Sequence, residues 1–444
     1  MIKFKFTYNW RDAGNDAPEY RHTMSDLALH VGNVNLLKNE DIWSRTIQES
    51  VLVSSYPLAM WLASSWWRLN WEPLPARRRG DGPSVDWRMA HELGAANHGF
   101  VWPQIIFASD CEVMQVWAVP SGINDNQSVR YLNELEKSAF IPLADFRRGV
   151  EDFIIAVISR LNAMGCQNTD LSNLWQLIQE DRADAESTKY RRLEAEMGYD
   201  PDECPEELMN KALELERKMG IAALSELAPV YGKSLTDIEE IADSPGLIGK
   251  PTIPSFGALS PQDLPWQRAV AAARSLRYTL GNPHDKIDNA KMCDLLGIEV
   301  SQFEQWSPLK RNNAGIAVPE SGNQFRFIPR KTINNPDGKR FELARYIGDY
   351  LLTGQTNGEW LASTDLSTSR QKYQRAFSAE FLCPITALRE FLQDDYSESA
   401  IKDATQHFQV SQKTVNSMLV NNRLISFSYA DDYAESGLPY RLGI

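Results

Sequence analysis

No uninterrupted apolar run in this chain of 444 residues reaches the roughly 20 residues that a bilayer-spanning helix needs, so no membrane partner is expected. Cysteine is sparse. The five residues Cys111, Cys166, Cys204, Cys293 and Cys383 are odd in number and form no C-x-x-C. That pattern excludes a disulfide framework and a zinc knuckle, and suits buried thiols in a reducing compartment. Positive charge is also in deficit, with 46 Lys and Arg against 59 Asp and Glu and a net charge of −13. A general nucleic-acid-binding role is disfavoured, because contact with a phosphate backbone needs a local excess of cations. Long low-complexity tracts are missing. Residues 1–8 alternate like a strand and lack the basic head and apolar run of a signal peptide, so a cytoplasmic location is expected.

What is present is a globular composition, 43% hydrophobic and 24% charged, in a chain longer than one core usually supports. Composition divides it into a tryptophan-rich mixed domain at 1–140, a helical connector at 141–250 and a C-terminal domain at 262–444. The boundary near 250–262 follows from recurring glycine and proline. The fold class expected is α+β.

Most tryptophans fall in the first region. Trp67 and Trp71, four apart, place two rings on one helical face within residues 61–73. Such density reads first as core packing, with a pocket or partner surface as the alternative. His91 and His98 lie in a segment with a superficial likeness to a zinc motif, but position 95 is alanine. Structural histidines are the favoured reading, with the segment ending its helix near Asn97. Residues 101–118 read as a hairpin turning at Ser109-Asp110. The densest basic run, Arg77-Arg78-Arg79, reads as an exposed loop rather than a phosphate clamp. In the connector, Phe146, Val150, Phe153, Ile154, Val157, Ile158 and Leu161 repeat at helical intervals. Residues 182–197 are densely charged and read as a solvated helix face.

Past residue 262 the order of segments carries a family likeness. Residues 287–300 form a leucine-rich helix pattern followed by Gly297-Ile298 and a strand-like end. Residues 314–318 and 324–328 read as a small sheet, and Arg340-Phe341-Glu342-Leu343-Ala344 leads into a long helix. A further helix pattern covers 371–384, and closing helices span 399–424. In this order the segments resemble the ImmA/IrrE metallo-endopeptidase-like family, whose helix carries HELGH and whose later helix supplies a glutamate as third zinc ligand. An H-E-x-x-H helix sets two imidazoles one turn apart, with a carboxylate to activate water. Here Arg345 and Asp349 stand at the histidine places, Tyr346 at the base and Tyr373 at the third ligand. An arginine cannot ligate zinc and a tyrosine is a poor base, so neither metal nor other cofactor is expected.

Glu342, Arg345 and Asp349 stand at i, i+3 and i+7, which sets two carboxylates about one guanidinium. Arg345 is expected to point inward between its helix and that of Tyr373, paired with Asp349 or Glu342. Asp349 with Glu380, which lies at a solvent-facing interval, is a weaker oxygen-rich metal pair. Residues 404–419 pass for a helix-turn-helix, with Gln412, Lys413 and Asn416 as readers. The resemblance implies a catalytically silent protein-binding regulator, in phage conflict or stress control. Its partner protein would meet the old cleft or a surface built from Trp67, Arg68, Trp71, Arg77, Arg78 and Arg79. The alternatives are a hydrolase with a non-standard site and a subunit of a nucleic-acid-associated complex.

Overall fold

The computed structural model describes residues 3–14, 16–76, 83–122, 127–132, 135, 138–232, 234–254, 264–308, 312–330, 334–353 and 359–426. The fold is α+β: several small antiparallel sheets accompany many helices, in two compact units divided between Met209 and Asn210. The helical stretch at 141–250 is shared between the units. No helix among the described residues is long and apolar enough to cross a membrane.

In the N-terminal unit, Phe4–Trp10 pairs antiparallel with Met24–Val31, which pairs on its other side with Val51–Ser54. A second sheet runs Ala139–Pro142, Val113–Val119, Gln104–Ser109, and Asp110 accepts from the backbone N–H of Glu112 and Val113 to close the hairpin turn. Alternation along the first strand turns Phe4 and Phe6 inward, where Phe6 stacks on Phe153 at 4.2 Å and Phe4 meets Phe146 at 5.0 Å. Both partners lie on the helix Leu143–Ala163, whose apolar stripe is buried as its spacing requires. Gly149 lets that helix approach, since a Cβ there would stand 2.7 Å from the Phe4 carbonyl oxygen.

The tryptophan-rich segment forms two helices, Ser55–Ser64 and Trp66–Trp71, parted at Ser65. The helix Val85–His91 and a short 3-10 turn then end at Asn97, His98 and Gly99, three successive residues with positive φ. Trp61, Trp66, Trp67, Trp87 and Trp102 are buried, and Trp71 is partly so.

The C-terminal unit has one antiparallel sheet in the order Leu247–Gly249, Gln324–Ile328, Gly315–Glu320, Leu361–Ser363. The helix Ser369–Leu382 packs against both Pro265–Thr279 and Pro336–Thr353. Close approach needs small residues: Ala269, Ala272 and Ala273 on one neighbour, and Ala344 with Gly348 on the other. A Cβ on Gly348 would stand 2.8 Å from the Phe377 ring. The strand expected after Gly297-Ile298 is instead the helix Val300–Gln305. An outer strand of the sheet is Leu247–Gly249, packed so close to the helix ending at Leu296 that a Cβ on Gly249 would lie 2.3 Å from the Leu296 carbonyl oxygen. Residues 404–419 do form helix, turn and helix, with Gln409 left-handed and Ser411 capping Gln412–Asn421.

Candidate functional site

The helix Pro336–Thr353 buries polar as well as apolar faces, with Glu342, Arg345, Tyr346 and Asp349 all nearly sealed from solvent. Arg345, 3% exposed, points inward as expected, but it pairs with neither Glu342 nor Asp349. Its Nη2 donates to the Thr364 carbonyl at 2.7 Å and to Gln371 Oε1, and its Nε donates to Gln374 Oε1 at 3.2 Å. The reason lies on the facing helix, Ser369–Leu382. Gln371 and Gln374 are one turn apart and oriented by donating their own amides to the Ala362 carbonyl at 3.0 and 2.8 Å. They offer Arg345 a fork of acceptors that carboxylates on its own helix do not match. Burial, aided by Arg330 and Arg375, pulls its pKa below the usual guanidinium range.

Asp349 is taken by a different arginine. Arg370 donates Nε and Nη2 to its two oxygens, each at 2.7 Å, and the Ala362 N–H donates to Oδ2 at 3.1 Å. Glu342 lies 3.4 Å from Arg330. Tyr346, at the base position, has its hydroxyl 3.2 Å from both the Ile316 and Ile328 carbonyls, and burial raises its pKa well above normal. Tyr373, at the third ligand position, is buried with a hydroxyl that finds no hydrogen-bond partner among the described residues, and burial raises its pKa too. Glu226, on the helix Ile221–Tyr231, accepts from the Thr368 hydroxyl at 2.8 Å, and burial raises its pKa despite the nearby Arg370.

A zinc ion of the kind the family resemblance implies does not fit these residues. Arg345 offers no lone pair, both oxygens of Asp349 are bound by Arg370, and the Tyr346 hydroxyl is turned to backbone carbonyls. Glu380 is buried rather than solvent-facing; it pairs with Arg274 at 2.7 Å and accepts from the Ile385 N–H, so it and Asp349 each serve a separate arginine. Among the described residues no group of three or more His, Cys, Asp or Glu is placed to hold a metal.

The N-terminal unit holds the other candidate, a cleft of about 750 Å³ lined in part by Trp61, Trp67 and Arg68. Arg68 is only 2% exposed, because Glu72 at 2.7 Å, Asp86 at 2.8 Å and Asp200 at 3.7 Å surround it. It is thus an organiser of carboxylates rather than a free cation. Trp67 is buried, and Trp71 lies away from the cleft with the Arg147 guanidinium 5.4 Å from its ring. Arg77, Arg78 and Arg79 lie outside the described residues. His91 is structural, stacked on Trp87 at 4.0 Å and bonded to Glu72 and the Phe107 carbonyl, each at 3.0 Å. His98 reaches the cleft and bonds the Tyr20 hydroxyl at 3.3 Å.

The cleft residues that the sequence did not reveal come from the charged stretch. The last turn of the helix Ala185–Glu196 is buried from Arg192 to Glu196, not solvated. Arg191 binds Asp181 at 2.8 Å, Glu194 at 2.9 Å and Asp202 at 2.8 Å, while Glu194 accepts from the Asp202 N–H at 2.9 Å. The signal was the unusual run of acids at 200–207 directly after that helix. Comparison of the chain with protein-family models, curated proteins and solved structures gave no match.

Proposed function

We propose that this chain is a cytoplasmic, non-catalytic binding protein, whose C-terminal unit keeps the plan of an ImmA/IrrE-like metallopeptidase without its chemistry and which regulates a partner protein. The observation that carries this reading is the closed network on the helix Pro336–Thr353. Arg345 is held by Thr364, Gln371 and Gln374 and has no lone pair to give a metal, and both Asp349 oxygens are engaged by Arg370. Such a network specifies packing and leaves no open coordination position, which a catalytic zinc site must keep. Phage conflict or stress control is the setting that the family resemblance suggests.

The test is affinity capture on the full chain from its source cell, followed by reconstitution of any recovered protein with the purified chain. A stoichiometric binary complex that survives chelator is expected. One zinc per chain, lost on Asp349→Ala and accompanied by peptidase activity, would overturn the reading.

A further inference from the structure

We propose that the cleft of the N-terminal unit is a docking groove for a cationic, amphipathic segment of a partner protein. The cleft has two kinds of surface. Met89 and Leu177, 55% and 59% exposed, stand at its wall, with Trp61 and Ile178 packed deeper. Large apolar side chains left in solvent at a concave site are the surface that a partner buries. Around them stand Asp86, Glu180, Asp181, Asp200 and Asp202, and Arg68 and Arg191 are the arginines or lysines among the described lining residues. Both guanidiniums are already shared among carboxylates, including Glu72 and Glu194 behind the wall. The local charge is therefore strongly negative. Burial raises the pKa of Asp200 against the pull of Arg68, and Glu203, Asp86 and Glu72 add repulsion.

The acidic rim is also fixed in place. Gly198 turns the chain with φ near +82°, the Glu194 carboxylate accepts from the Asp202 N–H, and Arg191 grips the Asp202 side chain at 2.8 and 3.2 Å. Preorganised acids beside an apolar wall complement Lys or Arg flanking apolar residues, and they repel nucleic acid. A divalent cation is the less suitable occupant, since these acids are spread along the cleft and no metal-holding group forms among the described residues. A volume of about 750 Å³ accommodates a few side chains of a short segment.

The inference rests on the reading of the chain as a binding protein and narrows that reading to a surface and a chemistry. The probe is a fluorescein-labelled amphipathic peptide of leucine and lysine, with a leucine and glutamate peptide as control, titrated into the full chain by anisotropy. The lysine peptide should bind and the glutamate peptide should not. Affinity should fall about tenfold in Glu180→Gln/Asp202→Asn and by a similar factor in Leu177→Ser/Met89→Ser. All four residues are exposed, so folding should persist, as circular dichroism will check. Asp12→Asn/Glu49→Gln removes the same charge from exposed positions outside the cleft and should leave affinity unchanged. Equal weakening in that control, or full affinity in the apolar double variant, would overturn the proposal as diffuse charge attraction. Failure of the peptide assay with the reconstituted complex intact would remove the cleft and keep the binding protein. Failure to reconstitute any partner would remove the binding protein itself.

Discussion

Arg370 holds both oxygens of Asp349 at 2.7 Å in a pair buried within the C-terminal unit. A fork of this kind is strong only while both halves are present, because each ion alone has been taken out of water. Asp349→Ala should therefore destabilise the chain by about 3–5 kcal/mol in urea denaturation. Asp349→Ala/Arg370→Met should recover part of that loss, since an apolar side chain needs no counter-charge. A single-variant effect below about 1 kcal/mol would mean that the pair is solvated.

Arg345 differs from Arg370 in that its acceptors are the neutral oxygens of Thr364, Gln371 and Gln374. Arg345→Ala leaves a cavity and takes the donor from the Thr364 carbonyl and Gln374 Oε1, while Gln371 Oε1 keeps the Thr364 N–H, and the loss should be about 3–5 kcal/mol. Arg345→Met fills the space without burying a charge and should cost clearly less than the alanine variant. Equal losses from the two substitutions, read as shifts in the denaturation midpoint, would show that the lost hydrogen bonds rather than the cavity govern the position.

Glu226 gives a pH dependence of defined sign. Burial raises its folded pKa above the ordinary glutamate value, so the folded chain holds this proton more tightly than the unfolded chain. Stability from this group is fully present below the unfolded pKa and falls as pH rises through the unfolded value toward the raised one. Glu226→Gln keeps an acceptor for the Thr368 hydroxyl while removing the charge. Its melting temperature should exceed that of wild type at neutral pH and converge with it on acidification. A parallel pair of curves from pH 4 to pH 8 would rule out Glu226 as the titrating group.

Helix Leu143–Ala163 was legible because one strip of large apolar residues at helical spacing admits few other structures. The inward course of Arg345 was legible too, from the apolar residues on both packed helices. Its partners were not, because their placement depends on the register of Ser369–Leu382 against Pro336–Thr353. The charged stretch misled for a related reason. Arg191 is satisfied by Asp181 and Asp202, ten and eleven residues away, and that arrangement lets Glu194 be buried where composition suggests solvent. The strand-like end expected after Gly297-Ile298 came from the family resemblance rather than from any alternation in the residues themselves, and the chain there enters the helix Val300–Gln305.

Gly149 offers a packing test. Alanine normally favours a helix interior by roughly 1 kcal/mol over glycine. Here the added Cβ would meet the Phe4 carbonyl oxygen and ring at 2.7 Å, and the backbone cannot rotate away as a side chain could. Gly149→Ala should destabilise by about 1–3 kcal/mol despite the gain in propensity. A rise in melting temperature would show that the helix shifts freely against the first strand.

The acidic turn at 200–202 should depend on a residue that no ligand touches. Glu194, with only 1% of its side chain exposed, accepts from the Asp202 N–H and pairs with Arg191, which in turn fixes the Asp202 carboxylate. Burial raises the pKa of Glu194, and Arg191 opposes that rise. Glu194→Gln keeps the acceptor oxygen and so should keep the turn, whereas Glu194→Ala removes both contacts. Hydrogen exchange at the Asp202 amide should accelerate by at least about tenfold in the alanine variant and change little in the glutamine variant. Because the rim acids then lose their fixed spacing, the lysine peptide should also bind the alanine variant more weakly, although every carboxylate lining the cleft is still present. Unchanged exchange in Glu194→Ala would show that Arg191 alone holds the turn.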